Sequence, residues 1–245
     1  MKKDILNILT GIKSSKIIVN LYNKDEWLTQ QFGYDVYNIK DLNVNILNKI
    51  DAKSFRNFCY YKTNNKVNFN YAKKLNLKLV EKSITFKLKI IKKYAFSKNC
   101  RLAQKKDKSY IIKLSKKSFI NSRFFQDENI SKKLAEKIKE NWINSYFLGN
   151  RGNQIIVYEE NSKIYGFILL ILNKNTLVID LIAVDQRKRG KRIGTSLLES
   201  SINFFKNSKY IIAGTQEKNI DAINFYKKNE FVIFQKGFTL HRHKQ

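Results

Sequence analysis

Two short stretches hold residue types and spacings that could do chemistry together. The first is Arg189-Gly190-Lys191-Arg192-Ile193-Gly194, a basic turn between an apolar strand ending at Val184 and a helix expected from about 192 to 205. A strand–turn–helix of this kind leaves several unpaired backbone N–H groups at the helix start. The aligned peptide dipoles add partial positive charge there, so the turn suits a diphosphate. Gly190 and Gly194 have no Cβ to hold a ligand off the backbone. The loop has neither the Gly-Lys-Ser/Thr ending of a triphosphate loop nor a full dinucleotide fingerprint. The second stretch runs from Asn219 through Ala222 and Asn224 to Tyr226. Asn219 is placed to cap a helix, and Ala222 and Tyr226, four apart, share one face of it. A phenol, with an ordinary pKa of about 10, can protonate a leaving group, a contribution of roughly 10²–10⁴-fold.

The elements that must position these residues follow from periodicity. Strands are expected at 154–160, 163–172, 176–184, 210–215 and 231–240, with helices at 131–147, 192–205 and 220–228. The helix at 131–147 places Leu134, Ile138, Trp142 and Tyr146 on one face. A strand at 110–114 and a short helix at 115–119 complete the unit, giving the order β-α-α-β-β-β-α-β-α-β. Upstream, strands at 16–22, 33–39, 55–61 and 77–90 alternate with helical stretches near 25–31, 42–50 and 68–75. Residues 92–109 are charged and aperiodic, so they are expected to connect two domains. The fold class expected is α/β (α+β), with a small α/β domain at 1–100 and a second domain at 101–245.

The turn at 189–194 resembles motif A of the GNAT acyltransferases, with Arg192 standing where that family commonly has glycine. The stretch from Asn219 to Phe231 resembles its motif B, with Glu230 in place of another glycine. The resemblance implies a mixed sheet that splays open after the strand ending at Val184, with acetyl-CoA lying in the opening. It implies that the pantetheine amides pair along Ile182 and Val184. The diphosphate would rest on Arg189, Gly190, Lys191, Arg192, Ile193, Gly194 and Thr195, with Asn219 and Asn224 beside the cofactor arm. Tyr226 would be the proton donor to the departing thiolate. No metal is expected, and His241 and His243, alternating on a terminal strand, are read as solvated and lacking a third ligand.

The N-terminal region narrows the acceptor. Phe32-Gly33 before a short strand, Glu81 at the end of Leu79-Val80-Glu81, and Ser122-Arg123-Phe124 ahead of the helix with Trp142 resemble the bacterial dTDP-fucosamine acetyltransferases. That resemblance implies acetylation of the amine of a nucleotide-linked 4-amino-4,6-dideoxy sugar. Glu81 would accept the amine's proton, while Ser122, Arg123 and Phe124 would hold the nucleotide-sugar. A peptide or protein amine is the alternative acceptor.

Composition sets the outer bounds. The chain has 245 residues, a hydrophobic content of 43% and a formal charge of +28. Its lysines are dispersed, and three of its eight arginines (187, 189 and 192) crowd into the basic turn. The charge therefore reads as compositional drift with general anion affinity, and no specific nucleic-acid partner is expected. A lysine-rich nucleic-acid-binding protein without catalysis is the remaining alternative. No apolar run is long enough to span a membrane. Two cysteines without ligand spacing fit a cytoplasmic location. The aromatic-rich C-terminal strand is a candidate surface for a homodimer.

Overall fold

A computed structural model describes residues 22–40 and 58–243. The expected helix at 42–50, and the expected strand at 16–22 apart from Tyr22, lie outside them. The described residues form two compact units, one of residues 22–40, 58–82, 127–129 and 237–243 and one of 83–126 and 130–236. The boundaries fall within two long strands, β4 (Lys78–Lys89) and β10 (Val232–His243), and around a three-residue segment at 127–129.

In the first unit, β1 (Tyr22–Lys24), α1 (Glu26–Phe32), β2 (Val36–Ile39), β3 (Phe58–Thr63) and α2 (Lys66–Lys74) follow one another. Strand β2 is parallel to β3, β1 is antiparallel to β2, and residues 238–243 of β10 are antiparallel to β3. Asp25 starts α1 by accepting the Leu28 N–H at 2.9 Å. Ile39, Cys59, Tyr61, Ala72, Leu75, Leu77 and Leu240 form the core of this unit.

The second unit contains β5 (Cys100–Leu102), α3 (Lys108–Lys116), α4 (Arg123–Gln126), α5 (Lys132–Phe147), β6 (Gln154–Glu160), β7 (Lys163–Asn173) and β8 (Thr176–Val184). They are followed by α6 (Ile193–Phe204), β9 (Tyr210–Gln216) and α7 (Ile220–Lys228). Strands β5 to β8 are antiparallel neighbours, β9 is parallel to β8, and residues 83–89 of β4 pair antiparallel with β9. One face of the sheet packs on Ile193, Leu197, Leu198 and Ile202 of α6 and Tyr226 of α7. The other face packs on Ile111 of α3 and Ile143 and Tyr146 of α5.

Two local expectations change. Cys100–Leu102 forms a strand inside the stretch expected to be a connection, and the expected strand at 110–114 is helix α3. Tyr110-Ile111-Ile112 has the aromatic and β-branched composition of a strand, but burial follows a helical period. Ile111 and Ser115 are buried while Tyr110 is exposed. In α5 the buried face is centred on Ala135, Ile138, Ile143 and Tyr146, with Leu134 and Trp142 on its margin.

Candidate active site

The sheet of the second unit opens where β8 leaves β9. The parallel ladder runs from Thr176↔Tyr210 to Ile179↔Ala213 and stops, although β8 continues to Val184 and β9 to Gln216. The stop coincides with a β-bulge. Leu169 of β7 faces Leu181 and Leu170 faces Ile179, which makes Asp180 the extra residue on β8. A bulge shifts the side-chain alternation by one. Leu177 and Ile179 point to the α6 face before it, and Ile182 and Val184 pack toward that face after it, while Leu181 and Ala183 turn to the α5 face. The edge of β8 carrying Ile182 and Val184 thus extends past the last register pair with β9.

The basic turn follows directly. Asp185 bends the chain by accepting the Arg187 N–H at 3.0 Å. Gly190 has φ +78° and Arg192 φ +61°, both left-handed. Arg192 stands where the resembled family has glycine, and its backbone takes the conformation glycine favours. It occupies the N-cap position of α6 without a side-chain cap, so the first-turn N–H groups at 193–195 have no intrahelical partners. The first intrahelical bond is Ser196 N–H to the Arg192 carbonyl, 2.9 Å. Arg189, Lys191 and Arg192 are exposed around this helix end. An uncapped helix start with cations beside it fits a diphosphate. Gly194 fits against α7, because a Cβ there would stand 2.9 Å from Cε2 of Phe225.

Helix α7 borders the same cluster. Asn219 caps it, its side chain accepting the Ala222 N–H at 3.3 Å. Arg189 reaches Asp221 in its first turn at 3.0 Å. Tyr226 is 3% exposed and lies between Phe86, Phe225 and Phe231, with ring centroids 5.2–5.3 Å away. Burial pushes its phenol well above the usual tyrosine range, so it holds its proton throughout the neutral range. Asn224 is exposed on the same helix, and Thr195 is half-buried in the first turn of α6.

An opened parallel pair, a glycine turn on a helix start and a helix carrying the tyrosine are joined by matching relatives. Residues 118–231 match the family model "Acetyltransferase (GNAT) family". This segment belongs to the GNAT acetyltransferase family. The spore coat polysaccharide biosynthesis protein SpsD of Bacillus subtilis is 31% identical over 137 residues, 55% of this chain and 47% of SpsD. Streptothricin acetyltransferase A of the same organism is 28% identical over 114 residues, 44% of this chain and 65% of that protein. The chain thus matches less than two thirds of the length of each of these curated relatives. A tandem GNAT protein from the clavulanic acid biosynthesis pathway shares the fold, with a TM-score of 0.55 at 10% identity over 85% of this chain and 75% of that one.

The other expected site residues fall as follows. Ser122 and Arg123 are buried at the start of α4, and Ser122 Oγ has no hydrogen-bond partner. Phe124 is 2% exposed with the Arg123 guanidinium 4.5 Å from its ring centre. Glu81 is half-buried on β4 in the first unit.

His241 is buried and His243 half-buried, and a third potential ligand is present. In the first unit, Asp127 Oδ2 lies 2.6 Å from His241 Nδ1 and 2.7 Å from His243 Nε2, and Asp127 Oδ1 accepts the Asn129 N–H at 3.0 Å. Asp127, His241 and His243 form the one group of this kind among the described residues. Their spacing is that of hydrogen bonds. Ligands of one tetrahedral zinc, each at about 2.0–2.2 Å, would stand more than about 3 Å apart. Sequence separation hid this trio, since Asp127 lies 114 residues before His241.

The reading of β8 as a plain apolar strand also passed over Asp180. Its signal was a lone charge in a nine-residue strand of otherwise uncharged residues.

Proposed function

We propose that the protein transfers an acetyl group from acetyl-CoA to the amine of a nucleotide-linked amino-deoxy sugar, a dTDP- or UDP-4-amino-4,6-dideoxyhexose, for surface polysaccharide. The observation that carries this reading is the end of the β8–β9 ladder at Ile179 and Ala213 beside the uncapped start of α6. In this reading the N–H groups of Ile193, Gly194 and Thr195 hold the diphosphate, with Arg189, Gly190, Lys191 and Arg192 around it. The edge of β8 at Ile182 and Val184 pairs with the pantetheine amides as a strand would. Asn219 and Asn224 flank the cofactor arm, and Tyr226 keeps a proton for the departing sulfur. Glu81 is the proposed acceptor of the amine's proton, and Arg123 the proposed phosphate partner of the nucleotide-sugar beside Ser122.

A relative named for spore coat polysaccharide biosynthesis supports a sugar acceptor over a peptide. No helix among the described residues is long and apolar enough to cross a membrane. Cys59 and Cys100 are free and buried, in keeping with a reducing cytoplasm. Val232, Ile233 and Phe234 are exposed on β10 and form the proposed surface for a second copy.

Thermal shift with acetyl-CoA, followed by a thiol-release assay on dTDP-amino sugars, UDP-amino sugars and peptide amines, tests the reading. At about 100 times Kd a ligand adds about 2.7 kcal/mol of apparent stability, and turnover is expected on a nucleotide-sugar. Turnover on peptides alone would replace the acceptor. Acetyl-CoA leaving the melting curve unmoved, together with steeply salt-dependent nucleic-acid binding, would replace the whole reading.

A further inference from the structure

Asp180 is the extra residue of the β8 bulge, and its carboxylate receives four hydrogen bonds. Trp142 Nε1 donates to Oδ2 at 2.7 Å, Tyr146 Oη to Oδ2 at 2.8 Å, Arg151 Nε to Oδ2 at 2.8 Å and Arg151 Nη2 to Oδ1 at 2.9 Å. All four donors come from α5 or the turn after it. The Arg151 guanidinium also lies 4.1 Å from the centre of the Trp142 ring. Gly152, at φ +65°, completes the clamp, because a Cβ there would collide with the Tyr146 ring. Burial alone would raise the Asp180 carboxyl, but the bonds and charge of Arg151, with the bonds from Trp142 and Tyr146, together outweigh it and hold the group ionised. Burial and the Asp180 charge push the Tyr146 phenol upward, so it remains a donor.

A buried charge in mid-strand is a costly way to stabilise a sheet. Its place at the bulge supplies a reason. On an apolar strand nothing else retains a bulge, and losing it shifts the register by one residue and exchanges the faces of everything beyond it. Here that would turn Ile182 and Val184 away from the cleft and move the point where β8 parts from β9. We infer that Asp180, clamped by Arg151, Trp142 and Tyr146, is a positioning residue that fixes the bulge and thereby aims the β8 edge at the pantetheine arm of the acyl donor.

The inference rests on the proposed donor site, and the test separates the two. Acetyl-CoA would engage both the helix start and the β8 edge, whereas ADP carries the diphosphate and no pantetheine. Calorimetric titration of the full chain with each ligand is compared for the unmodified protein, Asp180→Asn and Trp142→Phe. The expected result for Asp180→Asn is an acetyl-CoA affinity lower by about tenfold, equivalent to one or two lost backbone hydrogen bonds. ADP affinity should stay within about twofold. Trp142→Phe removes one of the four bonds and should change affinity in the same direction by a smaller factor, and it decides the matter if Asp180→Asn does not fold. Folded variants that bind both ligands normally, or lose both equally, would overturn the clamp while leaving the donor site intact. Failure of the unmodified protein to bind acetyl-CoA would overturn both.

Discussion

Phe231 donates its backbone N–H to the carbonyl of Tyr226 at 3.0 Å, and the rings of the same two residues lie 5.3 Å apart, centre to centre. With Glu230 N–H bonded to the Lys227 carbonyl at 3.1 Å, this is a Schellman closure of α7. The proposed proton donor is therefore held by the end of its own helix as well as by the aromatic cluster. The closure needs a left-handed residue at 230, and Glu230 supplies it at φ +65°.

Glu230→Gly should stabilise the protein. Relief of the left-handed strain, roughly 1–2 kcal/mol, exceeds the added unfolded-state entropy of glycine, about 0.4–1 kcal/mol. The Lys92–Glu230 pair that is lost is exposed on both sides and screened by water. Thermal denaturation should place Tm about 2 °C or more above the unmodified protein. A lower Tm would mean that this ion pair outweighs the backbone.

Much of this architecture was legible in the sequence because it rests on local patterns. The hairpins at 154–184, both C-terminal helices and the glycine turn follow from period and turn chemistry, and they form with boundaries within a residue or two of those expected. The departures have a common cause in tertiary packing. Ile111 became helical because its side chain is buried against α5 and the sheet, a contact its neighbours do not encode. The bulge at Asp180 depends on donors at 142, 146 and 151. The Asp127–His241–His243 hub joins residues more than a hundred positions apart. The two positions that break the family pattern, Arg192 and Glu230, were visible as substitutions, but only the backbone reveals that both are left-handed.

Tyr226→Phe should cost roughly 10²–10⁴-fold in kcat with little change in acetyl-CoA affinity. The ring would keep its place among Phe86, Phe225 and Phe231. Because burial raises the Tyr226 phenol, any fall in rate between pH 7 and 9 should be the same in enzyme and variant. A thiol-release assay across that range measures both. Unchanged turnover in the variant would remove Tyr226 from the chemistry.

Gly190→Ala and Gly194→Ala should fail for different reasons. At Gly190 a Cβ meets nothing within 4 Å, but φ is +78°, so the cost is backbone strain of roughly 1–2 kcal/mol. At Gly194 the new Cβ would lie 2.9 Å from Phe225, so α6 and α7 must separate slightly or the ring must turn. Gly190→Asn should recover part of the stability, since asparagine tolerates the left-handed region. No such rescue is expected for asparagine at 194. Urea denaturation of the four variants distinguishes strain from collision.

Asp127 should make stability fall in acid. Burial alone would raise its carboxyl, but hydrogen bonds from His241 and His243, together with the Asn129 N–H, outweigh burial and hold it far below the usual range. A folded-state pKa below the unfolded value of about 3.9 stabilises the protein above that value. The stabilisation is lost as pH drops from about 4 downward. Asp127→Asn should therefore be less stable at pH 7, by about 1–3 kcal/mol for the disrupted buried bonds, and the deficit should shrink toward pH 3. Urea unfolding of both proteins at pH 7, 5 and 3 measures that gap. A deficit of the same size at pH 3 would assign it to packing around Phe58, whose ring stacks on His243 at 4.4 Å, and not to the carboxylate.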